Sequence, residues 1–335
     1  MRRREFVRLL GDAAMALLVL AMPIGGAPPA TAQGYPSRPI TMIVPYGAGG
    51  PTDTIGRIVA EGMRAFLGQP VVIENVTGAS GVIGVGRAAR APGDGYTLSL
   101  GGWPSHVLNS AIFTVDYDVL KDFEPVSPLV SEPLLIVAKQ AMPASDLKEL
   151  VAWLKANPGK ASLGTTGSGG ALHVAGVLFQ RDTGTRLQAI PYRGGAGPAL
   201  QDLVAGQIDM MIDLTASSLP QIRSGKIKAY AVTAKNRLAA APDIPTTDEA
   251  GLAGFHILSW HGLWVPKDTP KNVTAKIAAA VVSSLDDPAA RRRLTDLGQE
   301  IFPRSQQTPE ALALLQNAEI EKWWPLIKSA GIKAD

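Results

Sequence analysis

The stretch that most constrains the fold is ITMIVPYGAGGPTD, from Ile40 to Asp53. Its first residues, up to Val44, are almost all apolar and predict a short buried strand. A turn rich in glycine and proline follows, and we expect a helix to begin at Thr52 or Asp53. This order leaves backbone N–H groups unpaired at the positive end of a helix dipole, with no Cβ in the way. The segment therefore predicts an anion-binding loop.

The same pattern recurs in three more places, each a glycine loop in front of a predicted helix. These loops cover residues 78–81, 165–170 and 192–197. Backbone donors lose no side-chain entropy, and their hydrogen bonds to a charged acceptor are roughly twice as strong as neutral ones. One glycine loop before a helix is usually only a turn. Four of them, two in each half of the chain, favour the capture of an anion.

The N-terminus has the composition of an export signal. Basic residues precede an apolar run from Ala13 to Met22 that is too short to cross a bilayer, and Ala30-Thr31-Ala32 provides a small-x-small cleavage site. We expect a signal peptide at residues 1–32, with Arg3-Arg4 typical of the twin-arginine route. The alternative is an anchor helix, which the Pro and Gly residues after the run disfavour. Cleavage would leave 303 of the 335 residues in the periplasm.

Composition excludes several classes of function. The absence of cysteine rules out disulfides, thiolate metal sites and a cysteine nucleophile. The formal charge is +3, of which four arginines and two acids in the leader contribute +2. Nucleic-acid binding would need a concentrated basic face. The basic triplet Arg291 to Arg293 lies on a predicted helix and indicates a solvated face.

Signatures of catalysis and of metal binding are also missing. The chain has no G-x-S-x-G elbow, no HExxH pair and no Walker A run. The segment Gly84 to Ala89 has dinucleotide spacing, but it falls inside a predicted helix. Three of the four histidines, His106, His256 and His261, have no metal-ligand spacing. We therefore expect no enzyme activity, no catalytic residues, no cofactor and no metal.

The order of predicted elements indicates an α/β fold. Strands at Ile40 to Val44, Val71 to Ile73 and Tyr96 to Leu100 alternate with helices, which predicts parallel pairing and right-handed crossovers. Ligands collect beyond the carboxyl ends of such strands. The second half repeats the pattern, with strands at Ser162 to Gly164, Leu187 to Pro191, Ile208 to Leu214 and Ile227 to Val232.

The chain then returns to the first half through a predicted strand at Ile257 to Val265 and ends in helices. We therefore expect two domains, residues 33–130 plus 245–335 and residues 131–244, each a mixed sheet flanked by helices. Two crossings between domains make a two-stranded hinge, which permits closure around a ligand.

Single residues in the loops allow more than one interpretation. Arg193 follows a strand and either clamps a carboxylate or lies on a turn at the surface. Asp53 and Asp213 suit a helix cap and a strand-end acceptor better than catalytic acids. His173, in the first turn of a helix, either donates to an anion or caps the turn.

Several motifs support a resemblance that spans the mature chain. They are residues 44–53 (VPYGAGGPTD), 74–75 with 78–81, 93–98 (GDGYTL), 164–169 (GTTGSG), 192–194 with 202–203 and 206–209, and 322–323 with 330–333. Together they resemble the Bug-type extracytoplasmic solute receptors of tripartite tricarboxylate transporters. The resemblance implies a monomeric, type II-like periplasmic binding protein that closes on a small carboxylate. It also implies delivery of that ligand to a membrane permease.

The resemblance places the ligand against the first three loops and Asp213, partly through ordered water. With Arg193 added, the expected binding residues are Tyr46, Gly47, Gly49, Gly50, Asp53, Gly78, Ala79, Ser80, Gly81, Thr166, Gly167, Ser168, Gly169, His173, Arg193 and Asp213. This chain departs from the family in having Gly170 and Leu172 where Thr and Ser are usual. It also has Tyr46 in place of Phe and an unusual Trp103. We therefore expect a less polar pocket that favours an aromatic or mixed carboxylate over citrate.

Three functions are compatible with these features: a transport receptor, a periplasmic enzyme acting on a carboxylate, and a sensor module for a membrane partner. The export signal, the missing nucleophile motifs and the repeated loops favour a receptor over an enzyme. A receptor and a sensor share the same binding chemistry, so the sequence leaves that choice open.

Overall fold

A computed structural model describes residues 34–167, 170–192 and 195–333. The expected signal peptide at residues 1–32 lies outside the described residues. So do three expected binding residues, Ser168, Gly169 and Arg193.

Within the described residues, ten strands alternate with ten α-helices. The strands are β1 (Ile40–Val44), β2 (Val71–Asn75), β3 (Thr97–Gly102), β4 (Phe123–Lys139), β5 (Ser162–Thr165), β6 (Gln188–Pro191), β7 (Met210–Leu214), β8 (Ile227–Val232), β9 (Leu258–Pro266) and β10 (Glu300–Ile301). The helices are α1 (Pro51–Leu67), α2 (Val82–Ala89), α3 (Asn109–Ile112), α4 (Leu147–Ala156), α5 (Ala171–Thr183), α6 (Ala196–Val204), α7 (Thr215–Arg223), α8 (Lys271–Asp286), α9 (Pro288–Asp296) and α10 (Pro309–Ser329). Short 3₁₀ turns cover Ala79–Gly81 and Arg304–Gln306, and a π-helical turn covers Pro104–Leu108.

The strands form a mixed sheet in the order β2-β1-β3-β9-β4-β7-β5-β6, with β8 and β10 also paired to β4. In one half of the sheet β1 is parallel to β2 and β3, and in the other β5 is parallel to β6 and β7. The strands β4 and β9 run antiparallel to their neighbours. The predicted α/β class with parallel units is confirmed. Each set of parallel strands brings its carboxyl ends, and the loops that follow them, to one edge.

The 17-residue strand β4 joins the two halves of the sheet. From Phe123 to Pro133 it pairs with β9, and from Leu134 onward it pairs with β7 and β8. The apolar run from Pro133 to Val137 predicts only the later part of this strand. Proline residues interrupt the earlier part of β4, where the register shifts after Pro125 and Pro128, and proline is atypical of a strand interior.

The second connection between the halves lies beside the first. Thr233, which is 1% exposed, accepts a hydrogen bond from Leu134 N at 2.9 Å and donates one to Ile257 O at 2.6 Å. The chain therefore passes between the halves at two adjacent places, as a two-stranded hinge requires. The domain limits at residues 130 and 244 stay predictions.

Helix α1 fixes the loop in front of it by packing on β1 and α8. Its apolar residues Ile55, Val59 and Met63 are fully buried, and burial of each such side chain contributes roughly 1.5–3 kcal/mol. Ser284 Oγ of α8 donates to Val59 O at 3.0 Å. The helix ends at Gly68, whose φ of 71° needs glycine. The start of α1 is thereby held in place relative to the sheet.

Candidate functional site

The first glycine loop runs from the end of β1 to the start of α1. The helix begins at Pro51, one or two residues earlier than expected, because proline is pre-set for the first helical position. Gly50 precedes it without a side-chain cap, and Gly49 has a φ of 79°. Gly47, Ala48 and Gly49 are exposed. The N–H groups of Gly47 and Ala48 have no hydrogen-bond partner among the described residues, so they are open to an incoming acceptor.

Asp53 organises this loop from within α1. Its side chain is buried, with Oδ2 accepting from Gly49 N at 2.8 Å and Oδ1 accepting from Asn75 Nδ2 at 2.9 Å. Arg57 Nε donates to Oδ2 at 2.9 Å. Burial alone would raise the pKa of Asp53, but the hydrogen bonds from Arg57, Gly49 and Asn75 outweigh it and lower that pKa. Asp53 is therefore ionised and already occupied, and its role is to shape the loop.

Two partners of Asp53 extend the network. Asn75, at the end of β2, uses Nδ2 to reach Tyr46 O at 2.9 Å as well, and so ties the first loop to the neighbouring strand. Asn75 belonged to the family motif, whereas Arg57 was missed. An Asp and an Arg four residues apart at a predicted helix start would have signalled the pair.

The second loop has an unusual backbone. Four consecutive residues have positive φ values: Gly78 (131°), Ala79 (45°), Ser80 (54°) and Gly81 (99°). For Ala79 and Ser80 this left-handed geometry costs on the order of 1 kcal/mol or more each. The buried Asn109 holds the turn by donating from Nδ2 to Ser80 O at 2.9 Å. Strain of this kind is typical of ligand-binding turns.

The first two loops lie against one another. A Cβ added to Gly81 would lie 3.3 Å from Tyr46 Cε1, so the tyrosine ring packs on this glycine. The ring is partly exposed, but the hydroxyl oxygen is buried and has no partner among the described residues. Burial raises the pKa of Tyr46 to about 12, an effect that Ser105 partly offsets. Tyr46 therefore presents its ring, not its hydroxyl, beside the loops.

The third loop lies between β5 and α5. Gly167 has a φ of 91°, and Gly170 N donates to Gly167 O at 3.1 Å before α5 begins. A Cβ on Gly170 would lie 2.4 Å from Thr166 Oγ1, so this backbone accepts only glycine at that position. Leu172 is 3% exposed and packs into the core. Partly exposed His173 is the third residue of α5, at the helix start.

The fourth loop follows β6 and is joined to the third. Tyr192 N donates to Thr165 O at 2.9 Å, and Tyr192 Oη donates to Asp202 Oδ2 at 2.6 Å. Gly195, with a φ of 91°, precedes α6, which begins at Ala196, two residues before the expected start.

Asp213 is placed near the end of β7, beside the third loop. It is fully buried, and its Oδ2 accepts from Ser217 Oγ at 2.9 Å and from Ser218 Oγ at 2.7 Å. Burial raises the pKa of Asp213, and the two serine hydroxyls oppose that change. Oδ1 has no partner among the described residues. The sequence analysis did not anticipate the two serines, although a pair of consecutive serines four and five residues after an aspartate is a detectable pattern.

His261 is a further residue that sequence reasoning missed. Its Nε2 lies 3.0 Å from Thr52 Oγ1, which joins β9 to the start of α1. Burial lowers the pKa of His261 to about 4, so the ring is neutral at neutral pH. The two partners are 209 positions apart in the sequence, so no local pattern signals this contact.

The tryptophans at positions 103 and 260 lie in the core. Trp103 and Trp260 are fully buried, and the Trp103 ring packs on Trp323 with the centroids 5.0 Å apart. Among the expected aromatic contributors, only Tyr46 lies at the loops.

The structure thus brings those expected residues that it describes together in two groups. Loops one and two meet at the carboxyl ends of β1 and β2, and loops three and four with Asp213 at those of β5, β6 and β7. No hydrogen bond between the described residues joins the two groups. Two surface grooves of about 230 and 360 Å³ lie elsewhere, at the end of α10 and between α4 and residues 250–252, and neither is lined by an expected binding residue.

The part of the chain that the structure describes contains no cluster of three or more metal-ligating side chains. Over the same residues, every helix is too short or too polar to cross a bilayer. The unpaired amides and helix starts are suited to holding an anion by hydrogen bonds.

Comparison with known proteins agrees with this geometry. The family model described as "Tripartite tricarboxylate transporter family receptor" matches residues 55–332. Protein BugT of Bordetella pertussis is 34% identical over 312 residues, which are 92% of this chain and 94% of BugT. The periplasmic binding protein BugD has a structure with a TM-score of 0.82 and 40% identity, covering 90% of this chain and all of that one.

Two further structures contain ligands. MatC from Rhodopseudomonas palustris, with bound malate, has a TM-score of 0.81 and 38% identity over 88% of this chain and all of that one. An R. palustris protein with adipate has a TM-score of 0.82 and 31% identity over 89% of this chain and 99% of that one. These matches confirm the periplasmic binding protein fold, and the chain belongs to the tripartite tricarboxylate transporter receptor family.

Proposed function

We propose that this chain is a periplasmic receptor that captures a small carboxylate between its two groups of glycine loops and delivers it to a tripartite tricarboxylate-type permease. Family membership supports the receptor role. Support for the ligand class comes from MatC, whose structure contains malate, and from the R. palustris protein whose structure contains adipate. Both molecules are dicarboxylates.

The observation that carries the proposal is the state of the first loop. Gly47 and Ala48 are exposed, and their N–H groups are unpaired in the described chain, at the positive end of the 17-residue helix α1. Asp53 and Asn75 hold the loop in shape before any ligand arrives. Donors that are fixed in advance lose little entropy on binding, so a carboxylate gains most of the energy of its charge-assisted hydrogen bonds.

The second group supplies different chemistry. We assign the other end of the ligand to loop three, His173, Arg193 and Asp213. The unpartnered Oδ1 of Asp213 suits a ligand hydroxyl or an ordered water, since it can only accept a hydrogen bond while ionised. The ring of Tyr46 and the lack of hydroxyls at Gly170 and Leu172 favour an aromatic or mixed carboxylate over citrate.

Calorimetric titration of the purified mature protein tests the ligand class. The panel contains malate, adipate, citrate and an aromatic carboxylate such as benzoate. We expect one-to-one binding of at least one member, with citrate weaker than the aromatic or mixed acid. Tight citrate binding without aromatic binding would overturn the preference, and no binding by any carboxylate would overturn the function.

A matched pair of glycine variants tests the site. Gly49 and Gly206 both have φ near 80° (79° and 75°), and a Cβ on either would contact nothing within 4 Å. Gly49→Ala and Gly206→Ala therefore impose the same backbone strain, but only the first lies in the proposed site. We expect at least about tenfold weaker binding for Gly49→Ala, a loss near 1.4 kcal/mol, and wild-type binding for Gly206→Ala. Equal effects would remove loop one from the site.

A receptor must return its ligand unchanged. Prolonged incubation followed by chromatography of the ligand should recover it intact, and product formation would indicate an enzyme.

Delivery is tested by uptake of labelled ligand in cells that lack either this chain or the permease subunits. Uptake should fall to background in both. Analytical ultracentrifugation with and without ligand tests the expected monomer.

Export is tested through the leader. Replacing Arg3 and Arg4 together by lysine should retain the protein in the cytoplasm if it uses the twin-arginine route. Arg8→Lys, outside the pair, is the control and should leave the protein in the periplasmic fraction. Export of both variants to the same extent would argue for a different route.

A further inference from the structure

Glu132 is a buried acid at the place where β4 passes from one half of the sheet to the other. Its side chain is fully buried, and the pairing of β4 changes from β9 to β7 two residues later, at Leu134. Glu132 Oε2 accepts from Ala216 N at 3.2 Å. Ala216 is the second residue of α7, a nine-residue helix that has no side-chain cap of its own. Glu132 thus caps a helix from a distant strand.

The other carboxylate oxygen lies among unsatisfied polar atoms. Glu132 Oε1 has no hydrogen-bond partner among the described residues, and the same holds for both side-chain polar atoms of Gln299, which is 3% exposed. Gln299 lies across from Glu132, because the next residue of β10 pairs with Ser131. A Cβ on Gly298 would lie 2.8 Å from Thr215 Cγ2, so this turn touches the start of α7. Three elements therefore meet around one buried carboxyl group.

The titratable groups on the elements around Glu132 supply no positive charge to balance its carboxylate. Asp213 on β7 is a second fully buried acid, and His261 on β9 is neutral. Glu300 on β10 and Asp296 at the end of α9 are acids as well, both exposed. Within the described chain, Glu132 forms no ion pair with a lysine or arginine.

Burial raises the pKa of Glu132 to about 7, and the charge of Asp213 adds to the rise. The hydrogen bond from Ala216 N opposes the rise, and so does the polar amide of Gln299, which lies nearby without a hydrogen bond of its own. Asp213, whose pKa is also raised by burial, has its own unpartnered oxygen. Asp213 lies on β7, the strand that pairs with β4, and its negative charge disfavours ionisation of Glu132.

We propose that Glu132 is a positioning residue that couples ligand capture to proton uptake: when a carboxylate enters the site beside Asp213, the Glu132–Asp213 pair takes one proton from solvent. The inference rests on the proposed function, because Asp213 belongs to the proposed site. The step is a simple protonation, in which a carboxylate oxygen gains H⁺ and no other bond changes. A bound anion adds negative charge near the pair and makes its ionised form less favourable.

Linkage then sets the pH dependence. If the ligand raises the pKa of the pair, the ligand binds more tightly as the pH falls through that pKa. Each unit of pKa added by the ligand corresponds to a change of up to about tenfold in affinity. We therefore expect malate or adipate to bind several-fold more tightly at pH 6 than at pH 8.

Calorimetry in two buffers of different ionisation enthalpy, such as HEPES and Tris, measures the proton uptake directly. With malate and adipate as probes at pH 7.5, the wild-type protein should take up a measurable fraction of a proton. Glu132→Gln keeps an oxygen acceptor for Ala216 N but has no proton to exchange, so its uptake should vanish and its affinity should not depend on pH. Glu300→Gln is the control. Glu300 is the exposed acid that follows Gln299, and this variant should show the proton uptake and the pH dependence of the wild-type protein.

Each outcome decides the question. Binding without proton uptake by the wild-type protein overturns the coupling but leaves the receptor function standing, and this measurement needs no variant. Uptake that persists in Glu132→Gln assigns the proton elsewhere and also overturns the inference. If no carboxylate binds between pH 6 and pH 8, the proposed function fails and the coupling fails with it. Infrared difference spectra of the free protein should show a protonated carboxyl band at pH 6 that is missing in Glu132→Gln.

Discussion

Arg57 donates two hydrogen bonds to the carboxylate of Asp53, which lies one helical turn earlier. Nε is 2.9 Å from Oδ2, and Nη2 is 3.0 Å from Oδ1. The Arg57 side chain is 53% exposed, whereas that of Asp53 is 2% exposed. An ion pair at this spacing on a helix surface contributes only a few tenths of a kcal/mol. Here the same carboxylate also holds Gly49 N and Asn75 Nδ2, so the pair controls the shape of the first glycine loop.

Asp53→Asn should therefore cost more than the loss of a helix cap. The amide keeps the size of the side chain but loses the charge and cannot accept from all three donors. We expect a loss of about 1–3 kcal/mol in the free energy of unfolding and weaker carboxylate binding. Chemical unfolding and calorimetry measure the two effects. Asp116→Asn, which breaks the exposed pair of Asp116 with Arg90, should change stability by less than about 1 kcal/mol. Equal losses in both variants would contradict a special role for Asp53.

The strained second loop provides a prediction of opposite sign. Ala79 has a φ of 45°, which glycine adopts without strain. Ala79→Gly should raise stability by roughly 0.5–1 kcal/mol, since the relief of strain exceeds the extra entropy of the unfolded chain. Ala205→Gly is the matched control, because Ala205 is also exposed but has a φ of −75°, and it should lower stability by a similar amount. Thermal unfolding distinguishes the two signs.

Local signals in the sequence were sufficient for most of the fold. The apolar run, the glycine turn and the helix start predicted β1, the first loop and α1 to within two residues. The prediction failed where local rules were broken by tertiary structure. Prolines at 125 and 128 hid the first part of β4, and α7 was missed because Thr215–Arg223 contains Pro220 and lacks an apolar stripe.

The site was predictable in outline only. The loops could be recognised because each is a short continuous segment. The groups that support the site come from distant strands. His261 contacts Thr52 from 209 residues away, and Glu132 accepts from Ala216 N from 84 residues away. No periodicity in a single sequence connects such pairs. Burial, which determines the charge of both groups, is equally invisible before the chain is folded.

Glycines at close backbone contacts yield a sharp pair of predictions. A Cβ on Gly102 would lie 1.8 Å from Trp260 O of the paired strand β9, whereas a Cβ on Gly47 would contact nothing within 4 Å. Gly102→Ala must separate β3 from β9, and we expect it to cost at least about 3 kcal/mol or to prevent folding. Gly47→Ala should change stability by less than about 1 kcal/mol. Circular dichroism and thermal unfolding compare them, and a stable Gly102→Ala protein would show that the strands lie further apart.

Glu132→Gln makes a prediction about stability that needs no ligand. Because the pKa of Glu132 is raised from 4.5 to about 7 in the folded protein, the folded state binds this proton more tightly than the unfolded chain does. The proton stabilises the fold fully below about pH 4.5, and that stabilisation is lost as the pH rises through 7. The loss amounts to about 3 kcal/mol above pH 7, at 1.36 kcal/mol per pKa unit.

The glutamine variant lacks this loss because it is neutral at every pH. Relative to wild type, Glu132→Gln should have similar stability at pH 5 and should be more stable by up to about 3 kcal/mol at pH 8. Both proteins share the buried His106 and His261, whose pKa values are lowered to about 3 and about 4 and which destabilise the fold below pH 6.5. Those contributions cancel in the comparison. Urea unfolding of the two proteins at several pH values measures the difference, and a gap that does not change with pH would mean that Glu132 is not the group that holds the proton.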